Sequence, residues 1–334
     1  MAPFDGKSEV PMAAQSNLVN GMIVRGYKFV AWVLVAGSLA GACWLLLAFA
    51  GLPSAALAAA GRVTIVSGGI PRTAILVEHR RLKQGRRPVV IILRGSRAKG
   101  ARLRRTFGFE EMARWSGTVL VYPQPLAGHW AEVPRSEANR DAAFIHDLIA
   151  KLIAEGIAKP NKVFLVGMRT GGMMALRLAC DQKGGFAGLA VLGASLPADL
   201  ENSCKPSHPL PLLMIARTED ATVPFHGGKA NLPHGKAELI PVEATLGLFS
   251  KAAGCAGSAT TTVFPNKDPR EGTRAYLDKL NNCKVPVELV RIEGGSHALP
   301  GPSGEGGANF GEGFSYGVVN SARLVWDFFR PLGG

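Results

Sequence analysis

Acid is scarce in this chain relative to base. It carries 25 Asp and Glu against 38 Lys and Arg, a formal net charge of +13. A chain so basic is drawn to anionic surfaces and polyanions rather than to cationic ones. Between Arg80 and Arg105 there are eleven Lys and Arg and no acid at all. Histidine is sparse as well, seven in 334 residues. His208, His226 and His234 show no metal-ligand spacing, so neither a metal nor a cofactor is expected. No internal repeat or low-complexity domain is present, which excludes a solenoid. No nucleic-acid recognition motif accompanies the positive charge, so nucleic acid is not an expected partner. What remains, at 47% hydrophobic residues, is enough to bury one large core with an appendage.

Charge is missing altogether from Phe29 to Ala50, 22 residues. An apolar run of that length spans a bilayer as a helix. Arg25 and Lys28 ahead of it keep residues 1–28 as a cytoplasmic tail. Ala58 and Ala60 form an A-x-A cleavage site before Gly61. Residues 29–60 are therefore expected to be an export signal, or an inner-membrane anchor through 29–50. Either places the domain Gly61–Gly334 in the periplasm or outside the cell. Cys43 lies in the apolar run, and the other four cysteines allow three pairings. Their spacing favours Cys180–Cys204 and Cys255–Cys283. Four reduced buried thiols are the alternative if the domain stays in the cytosol.

From Gly61 onward, apolar strands alternate with helices. Arg62–Ser67 and Ile75–His79 read as strands around a Gly68-Gly69 turn. Val89–Leu93 and Thr118–Tyr122 are continuous β-branched runs, as in strands buried on both faces. Phe107–Trp115, Asp141–Glu155, Val242–Ala253 and Val318–Phe329 carry helical periodicity. Val163–Val166, Leu189–Leu192, Leu210–Ile215 and Val285–Ile292 are further apolar strands. The pattern predicts an α/β fold, a mostly parallel central sheet with helices on both faces.

The most informative stretch is Val163-Phe-Leu-Val-Gly-Met-Arg-Thr-Gly-Gly-Met-Met-Ala175. It reads as strand, sharp turn and helix, with glycines where backbones must come close. It has the form of a Gly-x-Ser-x-Gly nucleophile elbow, with Arg169 where the serine would stand. Downstream, Asp220 follows the strand Leu212–Ala216, and His297 follows the strand Val287–Ile292. Nucleophile, acid and histidine in that order suit an acid–base pair serving the elbow.

These residues resemble the secreted polyhydroxybutyrate depolymerase and feruloyl esterase group of α/β-hydrolases. The resemblance runs over roughly Arg72 to Arg330. It also rests on Tyr122-Pro123 with Trp130, Leu178-Ala179-Cys180, Val223-Pro224-Phe225, Gly254-Cys255 and Pro300-Gly301. It implies a serine esterase fold acting on aryl or polyester bonds in an exported protein, and members tend to carry disulfides. By the same resemblance, the backbone N–H of Thr170 and the loop Arg94-Gly95-Ser96-Arg97 would form the oxyanion hole. Trp130 would contact substrate or plug the core, and Gly301–Gly313 reads as a flap over the site or as a long surface loop.

Two positions depart from the family. Arg169 cannot act as a nucleophile, because a guanidinium stays protonated. The family's Leu-His-Gly is Leu93-Arg94-Gly95 here. The expectation is a divergent member without serine esterase activity. It keeps Asp220 and His297 as a remnant acid and base, and a basic pocket in which Arg94, Arg97 and Arg169 meet a small or polymeric ester or an anionic ligand. A working hydrolase with an unrecognised nucleophile is the alternative. A third reading is a membrane-tethered basic protein that meets anionic lipid and keeps only a vestigial pocket.

Overall fold

The structure is a computed structural model. It describes residues 59–78, 85–95, 108–126, 128–130, 136–181, 183–206, 208–232, 235–265, 272–294, 299–301, 314–316 and 319–334. The apolar run 29–50, Ser96, Arg97, His297 and residues 302–313 of the expected flap lie outside them. The chain divides into a unit of residues Met1–Ala55 and a compact unit of Ala56–Gly334. Among the described residues, no helix is long and apolar enough to cross a membrane.

The compact unit opens with a hairpin, β1 (Ala59–Ser67) and β2 (Ile70–Glu78), in register from Ala59↔Glu78 to Ser67↔Ile70. β1 thus begins two residues before Gly61, and the expected cleavage point falls within it. Next come β3 (Arg87–Leu93), helix α1 (Phe109–Ser116), β4 (Val119–Pro123) and α2 (Ser136–Ala154). The elbow follows as β5 (Ala158–Met168) and α3 (Thr170–Cys180), then β6 (Gly188–Leu192) and β7 (Leu212–Arg217). The second half holds β8 (Gly228–Leu232), β9 (Gly235–Leu239), α4 (Val242–Ala253), β10 (Thr260–Val263), β11 (Arg274–Lys279) and β12 (Val287–Glu293). It closes with β13 (Leu299–Gly301), β14 (Phe314–Tyr316) and α5 (Ser321–Phe329).

Ten strands form one sheet in the order β1-β2-β4-β3-β5-β6-β7-β12-β11-β10. The six from β4 to β12 run parallel. β2 is antiparallel to β1 and β4, and β11 is antiparallel to β12 and β10. The sheet is therefore mixed, with antiparallel strands added at both edges of a parallel centre. Every residue of β4, β6 and β7 is buried, which is why those segments read as unbroken apolar runs. Alternate residues of β3 serve opposite layers. Val89, Ile91 and Leu93 join the core under α2, α3 and α4, while Val90 and Ile92 join the core under α1 and α5.

Both expected disulfides are present. Cys180–Cys204 fastens the end of α3 to the segment after β6, and Cys255–Cys283 fastens the end of α4 to the turn before β12. Their sequence separations of 24 and 28 residues correspond to about 3.5 kcal/mol each by loop-closure entropy. A buried ion pair, Arg72 to Asp141 at 2.6 Å, joins β2 to α2, and the guanidinium stacks 4.1 Å from the Phe144 ring centre.

Candidate functional site at the elbow

All six parallel strands end on the same edge of the sheet. That edge receives the loop after β3, the turn after β5, the segment after β7 and the chain leaving β12. Open α/β sheets bind ligands at this carboxyl edge.

The turn after β5 has the backbone of a nucleophile elbow. Arg169 sits at φ 54°, ψ −121°, a conformation that costs a non-glycine residue about 1–3 kcal/mol. The neighbours force it. A Cβ on Gly171 would lie 2.2 Å from the Leu93 carbonyl oxygen. One on Gly167 would lie 2.5 Å from the Gly171 oxygen, and one on Gly172 would lie 2.6 Å from the Ala194 Cβ. Only glycine permits strand, turn and helix to close so tightly. The Arg169 amide donates to the Leu192 carbonyl at 2.8 Å. Its own carbonyl accepts from the amides of Gly172 and Met173 at 2.8 and 3.2 Å. The apex is thus fixed by backbone alone, and the side chain it carries is incidental to its shape.

The Arg169 side chain runs over the loop after β3. A Cβ on Gly95 would lie 3.3 Å from the Arg169 Cβ and 3.5 Å from its Cδ. Gly95 is itself buried, and Arg94 is half-buried. Burial pushes the Arg94 guanidinium below the usual arginine range. Trp130 is fully buried and donates from Nε1 to the Arg94 carbonyl at 3.0 Å. Expected as a substrate contact or a core plug, Trp130 is buried here and holds the loop through that bond. Thr170, the first residue of α3, is buried against the same turn.

Asp220 lies three residues beyond β7 and is buried. Its Oδ1 accepts from the amides of Thr222 and Val223, both at 2.8 Å, so the carboxylate is held by its own turn. The Arg169 guanidinium lies in its field. Burial lowers the basicity of Arg169, Asp220 raises it, and burial wins. The structure therefore brings Arg169, Thr170, Gly95 and Asp220 to one edge, with Arg94 beside them. β12 ends on that same edge, and His297, four residues beyond its last residue, lies outside the described residues.

One residue escaped the sequence reading. Arg217, the last of β7, is buried, and its Nη1 donates to the Gly294 carbonyl at 3.3 Å. The Thr218 amide donates to the Ile292 carbonyl at 2.9 Å. Together they tie the root of the Asp220 turn to the end of β12. The signal available was a cation closing an all-apolar strand, which is rarely tolerated without a partner. No group of three or more His, Cys, Asp or Glu suited to a metal occurs among the described residues.

No family model matches the chain. It is 28% identical over 229 residues to NocK of Nocardia uniformis subsp. tsuyamanensis, a provisionally named esterase, covering 64% of this chain and 66% of that protein. It is 25% identical over 180 residues to feruloyl esterase B of Piromyces equi, covering 52% and 32%. The aligned stretch spans less than two thirds of either relative. The acetyl xylan esterase of Aspergillus awamori superposes with a TM-score of 0.50 over 71% of this chain and 94% of that one, at 12% identity, which speaks for the fold alone. The fold is α/β-hydrolase-like, and the relatives carry esterase names.

Proposed function

We propose that this chain is a carboxylic-ester hydrolase-like protein that has exchanged its nucleophile for a fixed cation, and that it binds an ester or an anionic ligand without turning it over. The observation that carries the reading is Arg169 at the strained apex of the elbow, φ 54°. In hydrolases of this fold that apex presents the attacking serine. A guanidinium has no lone pair to offer a carbonyl carbon at neutral pH. Losing the serine from a Ser-His-Asp enzyme removes about 10⁶-fold in kcat in the subtilisin case.

Nearby hydroxyls do not take over. Thr170 is buried one residue past the apex, on the first turn of α3. Ser195 Oγ is committed to the Ile240 carbonyl and to Thr245 Oγ1, both at 2.7 Å. The rest of the machinery supports descent from a working esterase: a glycine-built elbow, an acid after β7 anchored by two amides, and relatives with esterase names. Two disulfides suit an oxidising compartment, so the same reading puts the domain outside the cytoplasm.

Hydrolysis of p-nitrophenyl acetate and methyl ferulate tests the reading. The parent is expected to be inert, Arg169→Ser to turn substrate over, and Arg169→Ser with His297→Ala to lose that turnover. Turnover by the parent that His297→Ala abolishes contradicts it.

A further inference from the structure

Exposed charge is sorted between the two edges of the sheet, whatever the elbow does. The six parallel strands begin on the edge opposite the elbow. β2 ends on that amino edge and β1 begins there, since Val77 pairs with Leu120 and Ala59 with Glu78. Backbone hydrogen bonds tie the edge together: Arg87 amide to Ile157 carbonyl at 2.9 Å, Leu212 to Pro286 at 3.0 Å and Lys284 to Ala253 at 2.9 Å. Five exposed cations stand along it in loops and at a strand start. They are Arg86 ahead of β3, Lys159 in β5, Lys183 between α3 and β6, Lys205 beside the Cys180–Cys204 bridge, and Lys284 before β12. None of the five forms an ion pair with a described carboxylate, whereas Glu78 is answered by Arg87, Glu155 by Lys151 and Glu288 by Lys279. Asp181 lies 3.4 Å from His146; Glu201, exposed in the turn before Cys204, has no such partner. Arg114, Lys151 and Lys251 answer the ends of α1, α2 and α4 and are left out of the five. The carboxyl edge carries exposed acids: Glu111 and Glu243 in the first turns of α1 and α4, and Glu219 after β7.

We infer that the amino edge is a docking face for an anionic phospholipid bilayer, which leaves the elbow opening away from the lipid. Three features select this partner. The cations are spread, not gathered: from Arg86 at β3 to Lys284 at β12 the sheet crosses four strand spacings, about 19 Å. A flat array of headgroups meets charges so spaced, whereas one small anion meets only one or two of them. The chain also enters the sheet on this edge. The uncharged run ends at Ala50 and β1 begins at Ala59. The residues between, 51–58, reach at most about 30 Å when fully extended. A bilayer that takes up the run therefore meets this edge before the elbow, and that is what distinguishes a lipid surface from a soluble polyanion. Finally, Glu111, Glu219 and Glu243 repel anionic headgroups from the opposite edge. Each exposed Lys or Arg near such a surface favours the docked state about fivefold, an effect that salt screens.

The test places a fluorescent label on each edge of the full chain, in a Cys43→Ser background with both disulfides kept oxidised. Ala154→Cys labels the amino edge at the end of α2, and Ala221→Cys labels the carboxyl edge just past Asp220; both alanines are exposed. The labelled chains are reconstituted with vesicles of phosphatidylcholine, with or without phosphatidylglycerol, that carry a nitroxide quencher at the headgroup. With phosphatidylglycerol, the label at 154 is expected to be quenched at least fivefold more than the label at 221. Without it, or in high salt, the difference is expected to vanish. The combined variant Arg86→Gln, Lys159→Gln, Lys205→Gln, Lys284→Gln is expected to abolish the difference as well, and thermal unfolding confirms that it folds. The salt and lipid arms need no charge substitution, so they judge the proposal even if that variant does not fold. Equal quenching at the two labels, stronger quenching at 221, or a difference that persists on pure phosphatidylcholine overturns the proposal, the last because a tether alone would then explain it. A difference untouched in the folded four-site variant overturns it too. So does binding of heparin by a chain whose label at 154 stays unquenched on phosphatidylglycerol, which would mark a site for soluble polyanions.

Discussion

Two arginines of this chain are taken out of water in different ways. Arg72, between β2 and α2, is fully buried, meets Asp141 at 2.6 Å and stacks on Phe144. Its backbone is ordinary strand, and its charge is matched within hydrogen-bonding distance. Arg169, at the elbow, sits on a left-handed backbone, and burial outweighs the help it receives from Asp220. The first is a completed structural pair. The second is held in place by backbone contacts that do not depend on its side chain. Strain of this kind persists where the surroundings over-determine it, and it gathers at functional sites.

The largest effect is expected where the completed pair is broken. Asp141→Ala leaves the Arg72 guanidinium buried without its carboxylate, and denaturant unfolding should show a loss of about 3–5 kcal/mol. A loss within a few tenths would mean that the pair is solvated and the contrast false. Next comes the scaffold of the elbow. Gly171→Ala puts a methyl group 2.2 Å from the Leu93 oxygen, a backbone atom that cannot step aside, and should destabilise by about 3 kcal/mol. The opposite sign is expected at the apex. Arg169→Gly removes the left-handed strain and a half-buried charge, and should stabilise by about 1 kcal/mol.

The smallest effect concerns pH. Burial holds the His146 imidazole below the usual histidine range, despite Asp181 at 3.4 Å, and Lys183 adds to the depression. The unfolded chain then takes up a proton near the ordinary value of 6.5 while the folded chain does not. Stability should fall as pH drops from above 6.5 toward the depressed folded value, and should be fully present above 6.5. Melting temperatures between pH 5 and 7.5 should lose part of that slope in His146→Gln. An unchanged slope would assign it to other groups.

What the sequence disclosed follows the same division. Continuous β-branched runs marked β3 and β4, because both faces of those strands are covered. α4 was legible at both ends, since its apolar stripe is bounded by Pro241 and Gly254. The elbow was legible from its glycines, which backbone proximity demands. The pairing of cysteines was legible because each pair closes a short local loop. The hairpin β8–β9 was not, because only the small residues Ala230 and Ala237 and the closing Leu239 are buried along it, among lysine and glycine. β10 and β11 were hidden for a similar reason: every residue of β10 is exposed, so no apolar alternation betrays it. α2 begins at Ser136 rather than Asp141, its first turn being too polar to show a helical stripe. The role of Trp130 lay beyond sequence reading, since a ligand-stacking indole and a buried one that grips a carbonyl look alike in one dimension.

The central claim is that the elbow has kept its aim and lost only its nucleophile. Covalent titration with diisopropyl fluorophosphate, read by intact mass, tests this most directly. The account predicts no adduct on the parent chain and one adduct per chain on Arg169→Ser, located on the peptide that carries position 169. An adduct on the parent, or an Arg169→Ser chain that folds yet stays unlabelled, would contradict it.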